Sequence, residues 1–167
     1  MPLPSGQEEL SPFLKWAGGK RWFVNRYLDI VPTEFGCYIE PFLGSGALFF
    51  AMRPKKAILS DLNADLVETF VAIKEDWETV VSILQGFHRL HSKIFYYQTR
   101  ESRPGSEAAR AARFIYLNRT CWNGLYRVNT SGQFNVPVGT KKNVLLDTDD
   151  FCRASVLLKK ALCIAPH

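Results

Sequence analysis

Residues 37–73 alternate short β-prone runs with helical patterns, and the turns between them restrict the fold more than any other stretch. The run Cys37–Phe42 leads into Leu43-Gly44-Ser45-Gly46, after which Ala47–Met52 has the composition of a buried helix. A second run, Lys56–Ser60, closes on Asp61-Leu62-Asn63. It gives way to a helix with Leu66, Val67, Phe70, Val71 and Ile73 along its apolar side. Strand, glycine turn, helix, strand is the first half of a nucleotide-binding unit, and βαβα order implies a parallel sheet in an α/β fold. At 167 residues and 47% hydrophobic, the chain can bury one such core.

Residues 1–12 read as a loose leader. The segment 13–76 holds the strand and helix pattern, beginning with a helix over Lys20–Val31 that Pro32 ends. From Trp77 to Arg119 the periodicity is helical in several pieces, broken at Arg103-Pro104-Gly105, so that 77–142 interrupts the sheet. The last piece, Glu107–Arg119, carries Arg110, Arg113 and Arg119. Trp122–Pro137 predicts a hairpin turning at Thr130-Ser131-Gly132. Residues 143–167 return to the sheet through a helix and the apolar run Ala161–Ala165, which opens another strand.

Charge is distributed unevenly. Between Arg89 and Lys142 there are ten Lys or Arg against Glu101 and Glu107, a balance of +8; the rest of the chain has 11 basic and 14 acidic residues, or −3. A basic third in an otherwise slightly acidic chain is either the footprint of a phosphate-neutralising surface or a solvated helical face. Cys37, Cys121, Cys152 and Cys163 are too scattered for a zinc ribbon or a CxxC pair, and the three histidines complete no metal site. No secretory leader and no run of eighteen apolar residues is present, so no membrane partner is expected and the expected location is the cytoplasm.

Two glycine turns carry the chemistry. In Glu40-Pro41-Phe42-Leu43-Gly44-Ser45-Gly46 the backbone can pass close to a ligand, and a helix N-terminus follows. A dinucleotide fingerprint needs a further glycine where Phe49 stands, which disfavours a nicotinamide cofactor. Asp61, at the end of the second strand, is either an acceptor for the hydroxyls of an adenosine ribose or the N-cap of the next helix. In Phe13-Leu14-Lys15-Trp16-Ala17-Gly18-Gly19-Lys20, Leu14 and Arg21 exclude a phosphate-binding P-loop. The segment instead offers a ring, two flexible residues and a lysine suited to a carboxylate, and Trp16 is either a core residue or a ligand contact.

Together these residues resemble the DNA adenine methyltransferases in which cofactor motifs come first, then target recognition, then catalysis (the D12 class). FLKWAGGK at 13–20 looks like the N-terminal cofactor motif, EPFLGSG at 40–46 like the glycine-rich motif, and SDLN at 60–63 like the ribose-binding acid. The stretch from Leu117-Asn118-Arg119 through Trp122–Asn129 to Gly132–Gly139 looks like the DNA-contacting hairpin. The resemblance implies a partial Rossmann-like sheet with an inserted recognition region and S-adenosyl-L-methionine as cofactor. Trp16, Ala17, Gly18, Gly19 and Lys20 would line its site with Glu40, Pro41, Phe42, Gly44, Ser45, Gly46, Asp61 and Leu62. Double-stranded DNA would meet Lys15, Arg119, Trp122, Asn123, Leu125, Arg127, Asn129 and Pro137. Arg127 and Asn129 would read base edges, with a phosphate contact the alternative for Arg127. Thr140 stands where relatives that read GATC often carry Arg, so that target sequence is not carried over.

Methyl transfer to adenine N6 needs the base out of the stack and acceptors for its amine hydrogens. The family supplies them with an Asp-Pro-Pro-Tyr type motif. No Pro-Pro pair occurs in this sequence, and no proline is followed by Cys, which disfavours a cytosine-C5 enzyme. The expectation is therefore a chain covering the first part of a family catalytic domain, with no catalytic residue of its own, inactive alone and unstable unless a partner, such as a C-terminal half, covers its sheet edge. A noncatalytic DNA- or cofactor-binding remnant, or one half of a split enzyme, is the alternative.

Overall fold

The computed structural model describes residues 10–165. The leader's first nine residues, and 166–167 at the other end, lie outside them. The sheet has three parallel strands in the order β1 (Tyr38–Glu40), β2 (Ala57–Ser60), β3 (Ala161–Ile164). Tyr38 is in register with Ala57, and Ala57 in turn with Ala161. Helix α2 (Ala47–Met52) joins β1 to β2. Helices α3 (Ala64–Leu90), α4 (Lys93–Glu101), α5 (Glu107–Thr120) and α6 (Phe151–Leu158) all fall between β2 and β3. The parallel mixed α/β sheet expected from the sequence is present.

Each helix from α3 onward starts at a side-chain cap. Asn63, Ser92, Ser106 and Asp150 accept the backbone N–H of Leu66, Phe95, Ala109 and Arg153 respectively, each cap worth about 1 kcal/mol. Asp61 is therefore not the cap of α3. Helix α3 leaves helical geometry once, at Asp76 (φ −148°, ψ 60°), and then continues to Leu90.

The core is aromatic where the segments meet. Phe13 packs on Phe70 with ring centroids 4.8 Å apart and on Phe151 at 5.7 Å, and Phe50 stacks on Phe70 at 6.2 Å. Burial of each such ring stabilises by roughly 1.5–3 kcal/mol. The chain before β1 is thereby tied to α3 and α6.

Two expectations change. The helix expected over Lys20–Val31 is an α-helix only over Arg21–Tyr27 (α1), followed by a 3-10 turn at Leu28–Ile30. Tyr27 at φ −134° breaks the ladder before Pro32 is reached. None of the α1 residues is buried, and Trp22 and Tyr27 pack edge-on to each other at the surface. The segment 122–137 turns back where expected, at Asn129–Gly132, but it pairs through single bridges (Cys121 with Val138, Val128 with Phe134) rather than regular strands.

Candidate functional site

The C-terminal ends of β1 and β2 lie side by side, and the loops that leave them are laced together. Leu43 N donates to Ser60 O at 2.9 Å, and Gly44 N donates to Asp61 Oδ2 at 2.9 Å. The other carboxylate oxygen of Asp61 accepts Asn63 N at 3.0 Å. Asp61 thus locks both loops and stays partly accessible, flanked by exposed Phe42 and Leu62. Gly44 and Gly46 both have positive φ (53° and 69°). Gly46 starts α2 without a side-chain cap, leaving first-turn N–H groups free of one.

The Trp16–Lys20 turn closes onto these loops. Gly19 N donates to Trp16 O at 3.0 Å. A Cβ on Gly44 would stand 2.9 Å from Trp16 Cδ1, so only glycine lets the indole seat on this loop. Lys20 Nζ lies 2.9 Å from Glu40 Oε1 and donates to the Phe42 carbonyl. Glu40 is buried; its Oε2 accepts the Tyr38 hydroxyl at 2.8 Å, while Oε1 has no hydrogen-bond donor in bonding geometry. Burial and the neighbouring Glu40 push the Tyr38 phenol well above its usual range, so it stays a donor. The structure thus brings together Trp16, Lys20, Glu40, Phe42, Gly44 and Asp61, with Ala17 and Gly18 exposed at the rim and Pro41, Ser45 and Leu62 along the two loops.

The second cluster lies across Asn118. Its side chain is 1% exposed; Oδ1 accepts Lys15 N at 2.9 Å, and Nδ2 donates to Lys15 O at 2.8 Å and Gly124 O at 3.4 Å. This clamp sets Lys15, next to Trp16, against the Asn123–Gly124 turn. Lys15, Lys141 and Lys142 line a cleft of about 420 Å³ with Arg119, Asn143 and Leu146. Burial, then a hydrogen bond and repulsion from Lys141, with Arg119 and Arg21 adding, lower the Lys15 ammonium to about 8. The base of the hairpin closes where Gly139 N donates to Thr120 O at 2.7 Å and Trp122 N to Pro137 O at 2.9 Å. Trp122, Asn123, Leu125, Arg127, Asn129 and Pro137 are all exposed.

Arg119 does not join them. It is 3% exposed and spends every guanidinium N–H internally, on Asp149 (2.6 and 2.7 Å), Val144 O (2.8 Å) and Phe13 O (2.8 and 3.2 Å). A saturated, buried fork has no donor left for DNA, so the expected surface role gives way to a structural one. Arg113 also turns inward, to Thr99 O and Arg100 O, while Arg110 is engaged at the surface by Glu68. The basic stripe is thinner than the sequence suggests. The Asn129 amide likewise holds its own turn, its Oδ1 accepting Ser131 N and Gln133 N.

Asn118 and Asp149 escaped sequence reasoning. A polar residue inside the apolar pattern of α5 was the available signal for Asn118; Asp149 gave none, being one of several acids in a loop.

Among the described residues no group of His, Cys, Asp or Glu suits a metal ion, and no helix is long and apolar enough to cross a membrane. The family described as D12 class N6 adenine-specific DNA methyltransferase matches residues 16–154. A type II methyltransferase of Lactococcus lactis subsp. cremoris is 41% identical over 84% of this chain and 52% of its own length. A type II methyltransferase of Methanocaldococcus jannaschii is 40% identical over 93% and 62%, and a DNA adenine methylase of Serratia marcescens is 39% identical over 93% and 58%. The chain spans about half to three-fifths of the length of these curated relatives. With the match running from the Trp16 turn into the first turn of α6, the chain belongs to the D12 class of N6 adenine-specific DNA methyltransferases.

Proposed function

We propose that this chain supplies the S-adenosyl-L-methionine site and the DNA-recognition surface of an enzyme that methylates adenine N6 in duplex DNA. The observation that carries this reading is the meeting of the Trp16–Lys20 turn, the Glu40–Gly46 loop and Asp61 at the carboxyl ends of two adjacent parallel strands, the place where open α/β sheets bind ligands. The cofactor supplies the electrophilic sulfonium methyl; the chain's groups bind and orient it. Asp61, partly accessible between Phe42 and Leu62, suits the ribose hydroxyls, and the two exposed apolar side chains suit a purine. Lys20 suits the cofactor carboxylate, and Glu40, whose Oε1 is held 2.9 Å from Lys20 Nζ, suits its ammonium.

The region 77–142, set between β2 and β3, is read as target recognition, and the bend of α3 at Asp76, next to the proposed boundary, supports that reading. Lys15 beside Lys141 and Lys142, with exposed Trp122, Asn123, Leu125, Arg127, Asn129 and Pro137, is the surface proposed for DNA. Arg127 donates from Nε to Asn135 Oδ1 at 2.9 Å, which steadies the guanidinium for bidentate base or phosphate contact. These residues position; the amine acceptors of the Asp-Pro-Pro-Tyr type do not occur among the 167.

The test is transfer of radiolabelled methyl from S-adenosylmethionine to adenine-unmethylated duplex DNA, by the chain alone and fused to the C-terminal half of one of its relatives. Label only in the fusion supports the reading, and its loss on Asp61→Ala ties it to this site. Label from the chain alone contradicts the division of roles, and none from either, with neither cofactor nor DNA bound, contradicts the whole.

A further inference from the structure

Trp16 touches more than the glycine loop. Its indole stacks on Tyr126 (centroids 5.4 Å apart, planes 28°) and less closely on Phe114 (6.2 Å, 23°). Tyr126 belongs to the hairpin, between Leu125 and Arg127, and its ring also packs on Phe114 at 5.2 Å and on Phe134 of the returning arm at 5.6 Å. Its hydroxyl donates to Asp65 Oδ2 at 2.9 Å, in the first turn of α3 and one turn beyond Asp61. A cleft of about 390 Å³ is lined by Asp65, Phe114, Tyr126 and Phe134 of this cluster.

We propose that Tyr126 is a positioning residue for the cofactor site, acting through Trp16: its ring presses the indole onto the Gly44 loop while its hydroxyl anchors that ring to the helix that Asp61 precedes. The indole lies directly on Gly44, with Trp16 Cδ1 2.9 Å from where a Cβ would stand. A side chain held by contacts on two sides keeps one rotamer, and a binding group so fixed loses less freedom when its ligand arrives. Tyr126 supplies the second side from a segment otherwise assigned to DNA. This inference rests on the cofactor reading of the Trp16 turn.

The experiment measures S-adenosylhomocysteine binding to the 167-residue chain by calorimetry, with tryptophan emission followed in parallel. Tyr126→Ala is expected to bind about fivefold more weakly or worse, the range that one aromatic stack supports. Tyr126→Phe, which keeps the ring, is expected to stay within about threefold of wild type. The ligand-induced emission change that Trp16→Phe removes should vanish from Tyr126→Ala and persist in Tyr126→Phe; a merely structural role would not divide the two variants this way. If circular dichroism shows Tyr126→Ala unfolded, Tyr126→Leu carries the same expectation. Binding by folded Tyr126→Ala within about twofold of wild type overturns the proposal, as does Tyr126→Phe as weak as Tyr126→Ala. A wild-type chain that binds no ligand instead overturns the cofactor reading, a result distinct from either.

Discussion

Replacing Arg119 by Ala tests whether the most buried arginine of the basic third holds the fold or holds DNA. The substitution leaves Asp149, whose side chain is 10% exposed, without its bidentate partner, and strips donors from the carbonyls of Phe13 and Val144. Removing one member of a buried ion pair costs about 3–5 kcal/mol, because the remaining carboxylate is left desolvated. That is a large share of the roughly 5–15 kcal/mol by which a domain is stable. For a chain of this size it lowers the melting temperature by on the order of 10 °C. Thermal and urea unfolding followed by circular dichroism give the number, and the double variant Arg119→Ala/Asp149→Ala should lose clearly less than the sum of the single losses. A phosphate-contacting arginine behaves otherwise: its loss leaves the melt alone, weakens DNA binding and lowers the salt dependence by about one ion. A melt within about 2 °C of wild type together with such a change in salt slope would refute the structural assignment.

Three further expectations follow from the same contacts. Gly139→Ala places a Cβ 2.5 Å from Cys121 O and 2.8 Å from Cys121 C, both backbone. It should open the hairpin base, destabilise by about 1–3 kcal/mol and weaken DNA binding in an anisotropy titration; unchanged affinity would show that the base need not close. Asn118→Leu removes the donor to Lys15 O and the acceptor for Lys15 N at a buried site, a loss of about 2–4 kcal/mol, and a urea midpoint equal to wild type would contradict the clamp. The Lys15 ammonium, lowered to about 8 from the ordinary 10.5, is charged at pH 7 and neutral by pH 9. DNA affinity should therefore fall as pH rises through about 8, and Lys15→Met should flatten that fall; between about 8 and 10.5 the unfolded chain holds the proton more readily, so stability gains slightly with rising pH there. An affinity profile that Lys15→Met leaves unaltered would exclude Lys15 as its source.

The sheet and the loops that leave β1 and β2 were legible because local rules and tertiary structure agree there. Glycines 44 and 46 interrupt the chain where the backbone must turn, and the apolar periodicity of α3 begins directly after Asn63. The choice between cap and ligand group at Asp61 was open to sequence only in part, since Asp61 and Asn63 are both capping residue types; position next to the first helical residue settles it for Asn63. What could not be read were contacts across distance. Arg119 looks like any basic residue at the end of a helix, and only the placement of Asp149, thirty residues on, turns it inward. Helix α1 misled in the opposite sense: a stripe of Trp22, Phe23 and Tyr27 at helical spacing normally marks a core face, yet Trp22 and Tyr27 lie exposed. Tyr126 is in sequence one more ring within the hairpin pattern of 122–137, and its partners Trp16 and Asp65 stand 110 and 61 positions away.

The central claim is that the laced loops at the ends of β1 and β2 form an S-adenosyl-L-methionine site. Ultraviolet crosslinking of radiolabelled S-adenosylmethionine to the purified chain, with the labelled peptide mapped, tests it most directly. The account predicts label in peptides spanning Trp16–Lys20 or Glu40–Gly46, competed by S-adenosylhomocysteine and lost on Asp61→Ala. Label confined to the basic cleft around Lys141, or unaffected by Asp61→Ala, would contradict it.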